Sequence, residues 1–129
     1  MTVVVGYVRT AEGEAALAAA LEQLHEGERL IVVNKPEQSE LEEFSAEQDS
    51  DALHNNLAEK GVDAEVVNLY ASDEPADLIV EQAAAHAARL IVIGLRKRSP
   101  VGKILLGSTA QAVLFSAPCP VLSVRADTE

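Results

Sequence analysis

Residues 90–111, LIVIGLRKRSPVGKILLGSTAQ, join four consecutive apolar residues to a glycine-rich basic loop and then to Gly107-Ser108. A short apolar run without polar alternation is typical of a strand that is covered on both faces of a parallel sheet. Gly107-Ser108 resembles a helix start, with Ser108 as the N-cap. The stretch therefore predicts a strand, a loop and a helix in succession, the unit from which α/β folds are built.

The same alternation continues through the rest of the chain. Further apolar runs occupy residues 3–5, 30–33, 66–69 and 121–124, and Ala/Leu-rich segments of helical period separate them. We expect five buried strands and about four helices, arranged as a doubly wound three-layer α/β sandwich around a parallel sheet.

The helix ends carry recognisable signals. We expect the first helix to cover residues 11–26, with Thr10 as its N-cap and Gly27 after its end. Residues 45–48, SAEQ, read as a capping box for the second helix, which ends at Gly61. The third begins with Ser72 or Asp73 as cap and Pro75 in its first turn, and the fourth runs from residue 107 toward 117. The inward-facing positions predicted for the first three helices are Leu17, Leu21, Leu24, Leu53, Leu57, Leu78, Ile79 and Ala85.

Composition limits the classes of protein that need consideration. The 129 residues carry 10 Lys and Arg against 21 Asp and Glu, a net charge of −11. We expect a single domain over residues 1–129. Strong negative charge argues against a nucleic-acid partner, and no apolar run is long enough for a membrane span, so we expect a cytoplasmic protein. The one cysteine, Cys119, cannot form an internal disulfide, and no Cys/His spacing suggests a metal site.

The charges are unevenly distributed. Residues 37–51 contain seven acids, which we interpret as a solvated surface. Residues 96–103 contain four basic residues and no acid, in a loop where an α/β sheet places its ligand. A Walker A loop and a dinucleotide G-x-G-x-x-G fingerprint are both absent. The loop is consistent with a phosphate site, and also with a plain charged connection.

The loop is similar to the nucleotide motif of the universal stress proteins, G-x2-G-x9-G-[ST]. Gly94, Gly107 and Ser108 stand at matching positions, while Lys97 replaces the second glycine. The ending APCPVLSV, residues 117–124, also resembles the last strand of that family. The resemblance implies an adenine-nucleotide alpha-hydrolase-like fold, strand order 3-2-1-4-5, and a homodimer formed partly through the last strand, Val121 to Val124.

The resemblance further implies a site for ATP or a related adenine nucleotide, with or without Mg²⁺. Nucleotide-binding relatives usually carry an Asp near the end of strand one, where this chain has Val8. Carried over by position, the candidate nucleotide-binding residues are Gly6, Tyr7, Val8, Val33, Asn34, Ile93, Gly94, Arg96, Lys97, Gly107, Ser108 and Thr109. Tyr7 is interpreted chiefly as a core residue.

Two functions of different class remain open. The first is a stress-response or regulatory module that binds an adenine nucleotide through residues 94–108. The second is a nucleotide-free homodimeric regulator or scaffold that acts by contact with an unidentified protein partner. Slow ATP hydrolysis is a third, enzymatic alternative, but no residue in the sequence stands out as a general base.

Overall fold

The computed structural model describes residues 1–8, 10–35, 42–70, 73–95 and 107–126, with the backbone alone for residues 42–49. The elements in chain order are β1 (Thr2–Val8), α1 (Ala11–Gln23), β2 (Arg29–Lys35), α2 (Glu42–Glu59), β3 (Asp63–Asn68), α3 (Pro75–Ala85), β4 (Leu90–Leu95), α4 (Ser108–Ser116) and β5 (Val121–Arg125). The strands form one sheet in the order β3-β2-β1-β4-β5, and every neighbouring pair is parallel. The predicted fold and strand order are confirmed.

The sheet has a hydrophobic core on each face. On one face, strands β1, β2 and β4 pack against α1 and α2 through residues that include Val3, Val5, Leu17, Leu30 and Leu57. On the other face they pack against α3 and α4 through residues that include Val4, Ile31, Ile79, Ile91 and Val113. Burying apolar side chains on both faces of the central strands supplies the main stabilisation of the fold.

Burial is less complete at the edges of the sheet than the sequence predicts. The prediction of five buried strands is wrong for β3 and β5, in which most residues are only partly buried and Asp63, Ser123 and Arg125 are exposed. Each of these strands has a neighbour on one side only. An edge strand therefore keeps one row of backbone groups and many side-chain atoms available to solvent.

Two predicted helix boundaries, the start of α1 and the end of α2, are confirmed by backbone geometry. The Thr10 hydroxyl accepts a hydrogen bond from the Gly13 amide at 3.2 Å, so Thr10 is the N-cap of α1. Gly27 and Gly61 have φ angles of +83° and +79°, the left-handed conformation that glycine adopts readily after a helix. The helix itself ends at Gln23, three residues before the predicted end.

Other helix predictions are wrong in detail. Ser45 lies inside α2, which begins at Glu42, so residues 45–48 are not a capping box. Glu74 occupies the N-cap position of α3, while the Asp73 carboxylate instead accepts a hydrogen bond from the Tyr70 amide at 2.8 Å. The Ser72 prediction lies outside the described residues.

Two further corrections concern α3 and α4. The prediction that Ala85 faces inward is wrong, because Ala85 is exposed. Ala83, four residues after Ile79, faces inward instead. Gly107, rather than Ser108, is the N-cap of α4, so Ser108 is the first helical residue. The serine therefore offers its own backbone N–H, instead of capping the N–H groups that follow it.

An ion pair between the buried Glu28 and the partly exposed Arg89 joins the amino-terminal ends of β2 and β4. Arg89 contacts the Glu28 carboxylate through Nε at 2.6 Å and Nη2 at 2.8 Å, and Nη2 also donates to the Gln23 carbonyl at 2.6 Å. The Arg89 hydrogen bond is the main reason that the pKa of Glu28 is lowered from 4.5 to about 2. The pair lies at the opposite end of the sheet from the carboxyl ends of the strands and stabilises the sheet there.

The part of the chain that the structure describes contains no helix that is both long and apolar enough to cross a membrane.

Candidate functional site

A cavity of about 190 Å³ opens at the carboxyl ends of the central strands. It lies on the side of the sheet that carries α3 and α4, and the first turn of α1 reaches its edge. In doubly wound sheets, ligands bind outside the carboxyl ends of the strands, where the strand order reverses. Strand β1 lies between β2 and β4, so the cavity is at that reversal point.

One end of the cavity is apolar. Its lining consists of Val33 on β2, Leu69 after β3, Pro75 and Ile79 on α3, and Ile93 on β4. Leu69 is held against β2 by a hydrogen bond from its amide to the Asn34 carbonyl at 2.8 Å. Apolar side chains from two strands, the segment after β3 and a helix thus form a slot that can hold a flat, weakly polar group such as a nucleobase.

The middle of the cavity is made by close backbone contacts. A methyl group placed on Gly94 would overlap the carbonyl oxygen of Glu12 and stand 3.1 Å from the Glu12 Cβ atom. A methyl group on Gly13 would overlap the carbonyl of Val8. Glycine is therefore required at both positions for lack of space, and the two contacts hold the first turn of α1 over the ends of β1 and β4.

The other end of the cavity is the amino terminus of α4. Gly107, Ser108, Thr109 and Ala110 line it, and the Gly107 cap supplies no side-chain hydrogen bond to the first turn. The first turn also contains no acidic residue. Unsatisfied N–H groups and the positive end of the helix dipole together make such a terminus suitable for an anion, above all a phosphate.

The structure brings most of the predicted site residues together. Nine of them line the cavity: Gly6, Tyr7, Val8, Val33, Ile93, Gly94, Gly107, Ser108 and Thr109. Arg96 and Lys97 lie outside the described residues. Tyr7 also belongs to the core, being 4% exposed, and its hydroxyl donates to the Glu14 carboxylate at 2.6 Å.

Asn34 is placed differently from the prediction. Its side chain is fully buried away from the cavity lining, and Nδ2 donates to Oδ1 of Asn68 at 2.9 Å. Asn68 in turn donates to the Ser50 hydroxyl of α2 at 3.2 Å. Successive residues of a strand point to opposite faces, so when Val33 faces the cavity, Asn34 faces α2.

Sequence reasoning missed several residues that line the cavity. They are Glu12, Gly13, Lys35, Leu69, Pro75, Ile79 and Ala110. Lys35 could have been found from the sequence: alternate residues of a strand share a face, and Lys35 lies two residues after the predicted site residue Val33. Glu12 carries no comparable signal, because α1 packs mainly against the other face of the sheet and only its first turn reaches the cavity.

The single cysteine and the three histidines all lie outside the cavity lining. No group of three His, Cys, Asp or Glu residues among the described residues could hold a metal ion. Cys119 is half-buried, and burial raises the pKa of its thiol, which keeps the thiol protonated at neutral pH. His25 and His54 are exposed and His86 is half-buried, and none of the three lines the cavity.

Comparisons with known proteins agree with this fold. The family model described as the universal stress protein family matches residues 1–125. A universal stress protein of Mycolicibacterium smegmatis is 32% identical over 126 residues, which are 95% of this chain and 96% of that protein. The solved structure of a universal stress protein from Archaeoglobus fulgidus is 31% identical, with a TM-score of 0.76, and the match covers 96% of this chain and 98% of that one.

A further solved structure bears on the ligand. The universal stress protein from Archaeoglobus fulgidus in complex with dAMP is 26% identical to this chain, with a TM-score of 0.72. The match covers 96% of this chain and 97% of that chain. That relative binds an adenine nucleotide with a fold that this chain shares.

Proposed function

This chain is a member of the universal stress protein family, and we propose that it is a stress-response regulatory module that binds an adenine nucleotide in the cavity above β1, β2 and β4. The observation that carries the proposal is the meeting, in one cavity, of an apolar slot and a helix amino terminus that has no side-chain cap. The first suits a base and the second suits a phosphate. A nucleotide contains both groups.

We infer the orientation of the proposed ligand from the strand order. The apolar slot extends from Val33 on β2 to Ile93 on β4, the first turn of α1 lies over the ends of β1 and β4, and α4 joins β4 to β5. Neighbouring strands are about 4.8 Å apart, so the path from β2 to β4 is roughly 10 Å. A nucleoside monophosphate has this reach, with its base in the slot, its sugar in the middle and its phosphate at α4.

ATP is the member of this class that we favour. Its additional phosphates carry further negative charge, and the sequence between β4 and α4, the elements that border the phosphate end, contains Arg96, Lys97, Arg98 and Lys103. Cationic side chains there would offset the charge of a triphosphate, alone or together with Mg²⁺. The dAMP complex of the Archaeoglobus fulgidus relative supports an adenine base in the slot.

The test is nucleotide-dependent stability. Purified protein, freed of bound nucleotide, is unfolded with urea in the presence and absence of ATP and AMP. At a ligand concentration 100 times the dissociation constant, binding adds about 2.7 kcal/mol to the free energy of unfolding. Gly107→Val places a branched side chain at the phosphate end and is expected to abolish the effect, whereas Ala112→Val, an exposed position of the same helix, preserves it. Absence of any stabilisation at millimolar nucleotide would contradict the proposal and favour a nucleotide-free scaffold.

We further propose that the module is a homodimer joined through β5. This edge strand pairs with β4 on one side only, and its residues are partly or fully exposed. Phe115 and Leu114 of the adjacent α4 are 86% and 43% exposed. Unpaired strand edges and exposed apolar side chains are features that a second copy can cover. A nucleotide that binds at the start of α4 would then act on the same helix that presents Phe115.

A further inference from the structure

Glu12 is the one acidic residue among the described residues that line the cavity. It is the second residue of α1, and its side chain is partly buried. No hydrogen-bond donor and no cation pairs with its carboxylate among the described residues. By contrast, Glu14 in the same turn accepts the hydroxyl of Tyr7 at 2.6 Å. The Glu12 carboxylate therefore keeps its acceptor capacity for a ligand.

The position of Glu12 along the cavity is determined by Gly94. The Glu12 Cβ atom lies 3.1 Å from the place that a methyl group on Gly94 would occupy, so the side chain starts directly above the end of β4. Val33 and Leu69 of the apolar slot lie on the β2 side of this point, and α4, which joins β4 to β5, begins on the other side. Glu12 is thus placed between the base end and the phosphate end.

The part of a nucleotide that lies between base and phosphate is the sugar. A ribose presents two adjacent hydroxyl groups, each a hydrogen-bond donor. An ionised carboxylate is an acceptor only, and its two oxygens can accept from both hydroxyls at once. An ionised phosphate is negatively charged and offers no donor, so a carboxylate at this place repels it and favours its binding at the α4 end.

We propose that Glu12 is a specificity-determining residue that binds the ribose hydroxyls and makes this cavity select ribonucleotides over 2′-deoxyribonucleotides. The inference rests on the proposed nucleotide site and adds a sugar preference to it. Removing one hydrogen bond to a charged group weakens binding by about ten- to a hundredfold. The preference for AMP over 2′-deoxy-AMP should have that size.

The experiment measures dissociation constants for AMP, 2′-deoxy-AMP and 3′-deoxy-AMP by isothermal titration calorimetry on the full chain. The variants are Glu12→Ala and, as matched control, Glu22→Ala, an exposed position on the same helix with the same change in charge. Glu12→Gln is added because it keeps the size of the side chain and loses only the charge. All variants are first compared by thermal unfolding to establish that they are folded.

The expected result is a preference for AMP over 2′-deoxy-AMP of about tenfold or more in the wild type and in Glu22→Ala. In Glu12→Ala the ratio falls to within about twofold, mainly because AMP binds less tightly, and Glu12→Gln gives an intermediate ratio. A purely structural role at the start of α1 would lower the melting temperature without changing the ratio, and that result overturns the inference. Equal binding of both nucleotides by the wild type overturns the inference and leaves the nucleotide site intact, whereas binding of neither overturns both.

Discussion

Gly94 at the end of β4 lies directly beneath Glu12 in the first turn of α1, so close that no side chain fits between them. The contact joins the two segments that border the cavity, since both residues line it. It explains the glycine at position 94 by lack of space rather than by an unusual backbone conformation, because Gly94 is absent from the residues with positive φ in the described chain.

Gly94→Ala is expected to lower the free energy of unfolding by about 2–3 kcal/mol, because the added methyl group meets backbone atoms that cannot move away independently. Urea denaturation measures the change. Gly6→Ala is the matched control: its methyl group would stand 2.9 Å from Cδ1 of Ile79, the end of a side chain that can rotate. The explanation fails if the two variants lose equal stability.

Thr10→Ala is expected to cost about 1 kcal/mol, because the substitution removes the acceptor of the Gly13 amide at the start of α1. Thr10→Ser keeps a hydroxyl and should retain most of the stability. The measurement is thermal or urea unfolding of both variants beside the wild type. A loss of equal size in Thr10→Ser would show that packing of the threonine methyl group, and not the cap, is what matters.

The Glu28–Arg89 pair makes stability depend on pH in the acidic range. The pKa of Glu28 is about 2 in the folded protein against an ordinary value of 4.5, so the unfolded chain binds the proton more tightly. The stabilisation is therefore complete above about pH 4.5 and is lost as the pH falls toward 2. Urea unfolding between pH 6 and pH 2 should show a steeper loss for the wild type than for Glu28→Gln.

At neutral pH, Glu28→Gln is expected to lower the free energy of unfolding by about 2 kcal/mol, because the amide oxygen can replace only one of the two carboxylate acceptors and the counter-charge of Arg89 is lost. Arg89→Met is also expected to lower the free energy of unfolding, since it removes both donors from the Glu28 carboxylate. Other carboxylates titrate in the same pH range, so the quantity of interest is the difference between wild type and Glu28→Gln. Parallel pH profiles for these two proteins would rule out the pair as the source of the acid dependence.

Ser123→Pro tests the proposed homodimer. The Ile91 amide donates to the Pro120 carbonyl, and with the parallel register of β4 and β5 this leaves the Ser123 amide pointing to the open edge. Proline removes that donor and blocks strand pairing without removing a β4–β5 hydrogen bond. Analytical ultracentrifugation should show a monomer for Ser123→Pro and a dimer for the wild type and Ser123→Thr. A wild type that is monomeric at tens of micromolar contradicts the proposal outright.

The elements of the fold follow from local signals in the sequence. All five apolar runs became strands, Thr10 capped α1, and Gly27 and Gly61 took the left-handed backbone conformation. One helix boundary predicted from a local motif is wrong. SAEQ at residues 45–48 has the letters of a capping box, yet the helix begins before it, at Glu42. Inside a helix the backbone N–H groups already have partners, so the motif has none left to cap.

Which residues line the cavity depends on contacts between segments that are far apart in the sequence. Val33 and Asn34 are neighbours in a strand whose five central residues are all buried, so no alternation of polar and apolar residues reveals which of them faces the ligand. Only the packing of α2 on one face and of α3 and α4 on the other assigns Val33 to the cavity and Asn34 to the Asn68 hydrogen bond. The packing of α3 on the face that carries Val33 also brings Pro75 and Ile79 to the cavity.

The sequence by itself determined the order of strands and helices, the glycines that the turns require, and the residues at the start of α4 that suit an anion. Those properties depend on backbone conformation and on burial averaged over a few neighbouring residues. Only the tertiary structure decided that Glu12, Lys35 and Leu69 surround the same cavity as Gly107 and Ser108. These residues come from four separate segments, and their proximity depends on how the helices pack across the sheet, which no local pattern specifies.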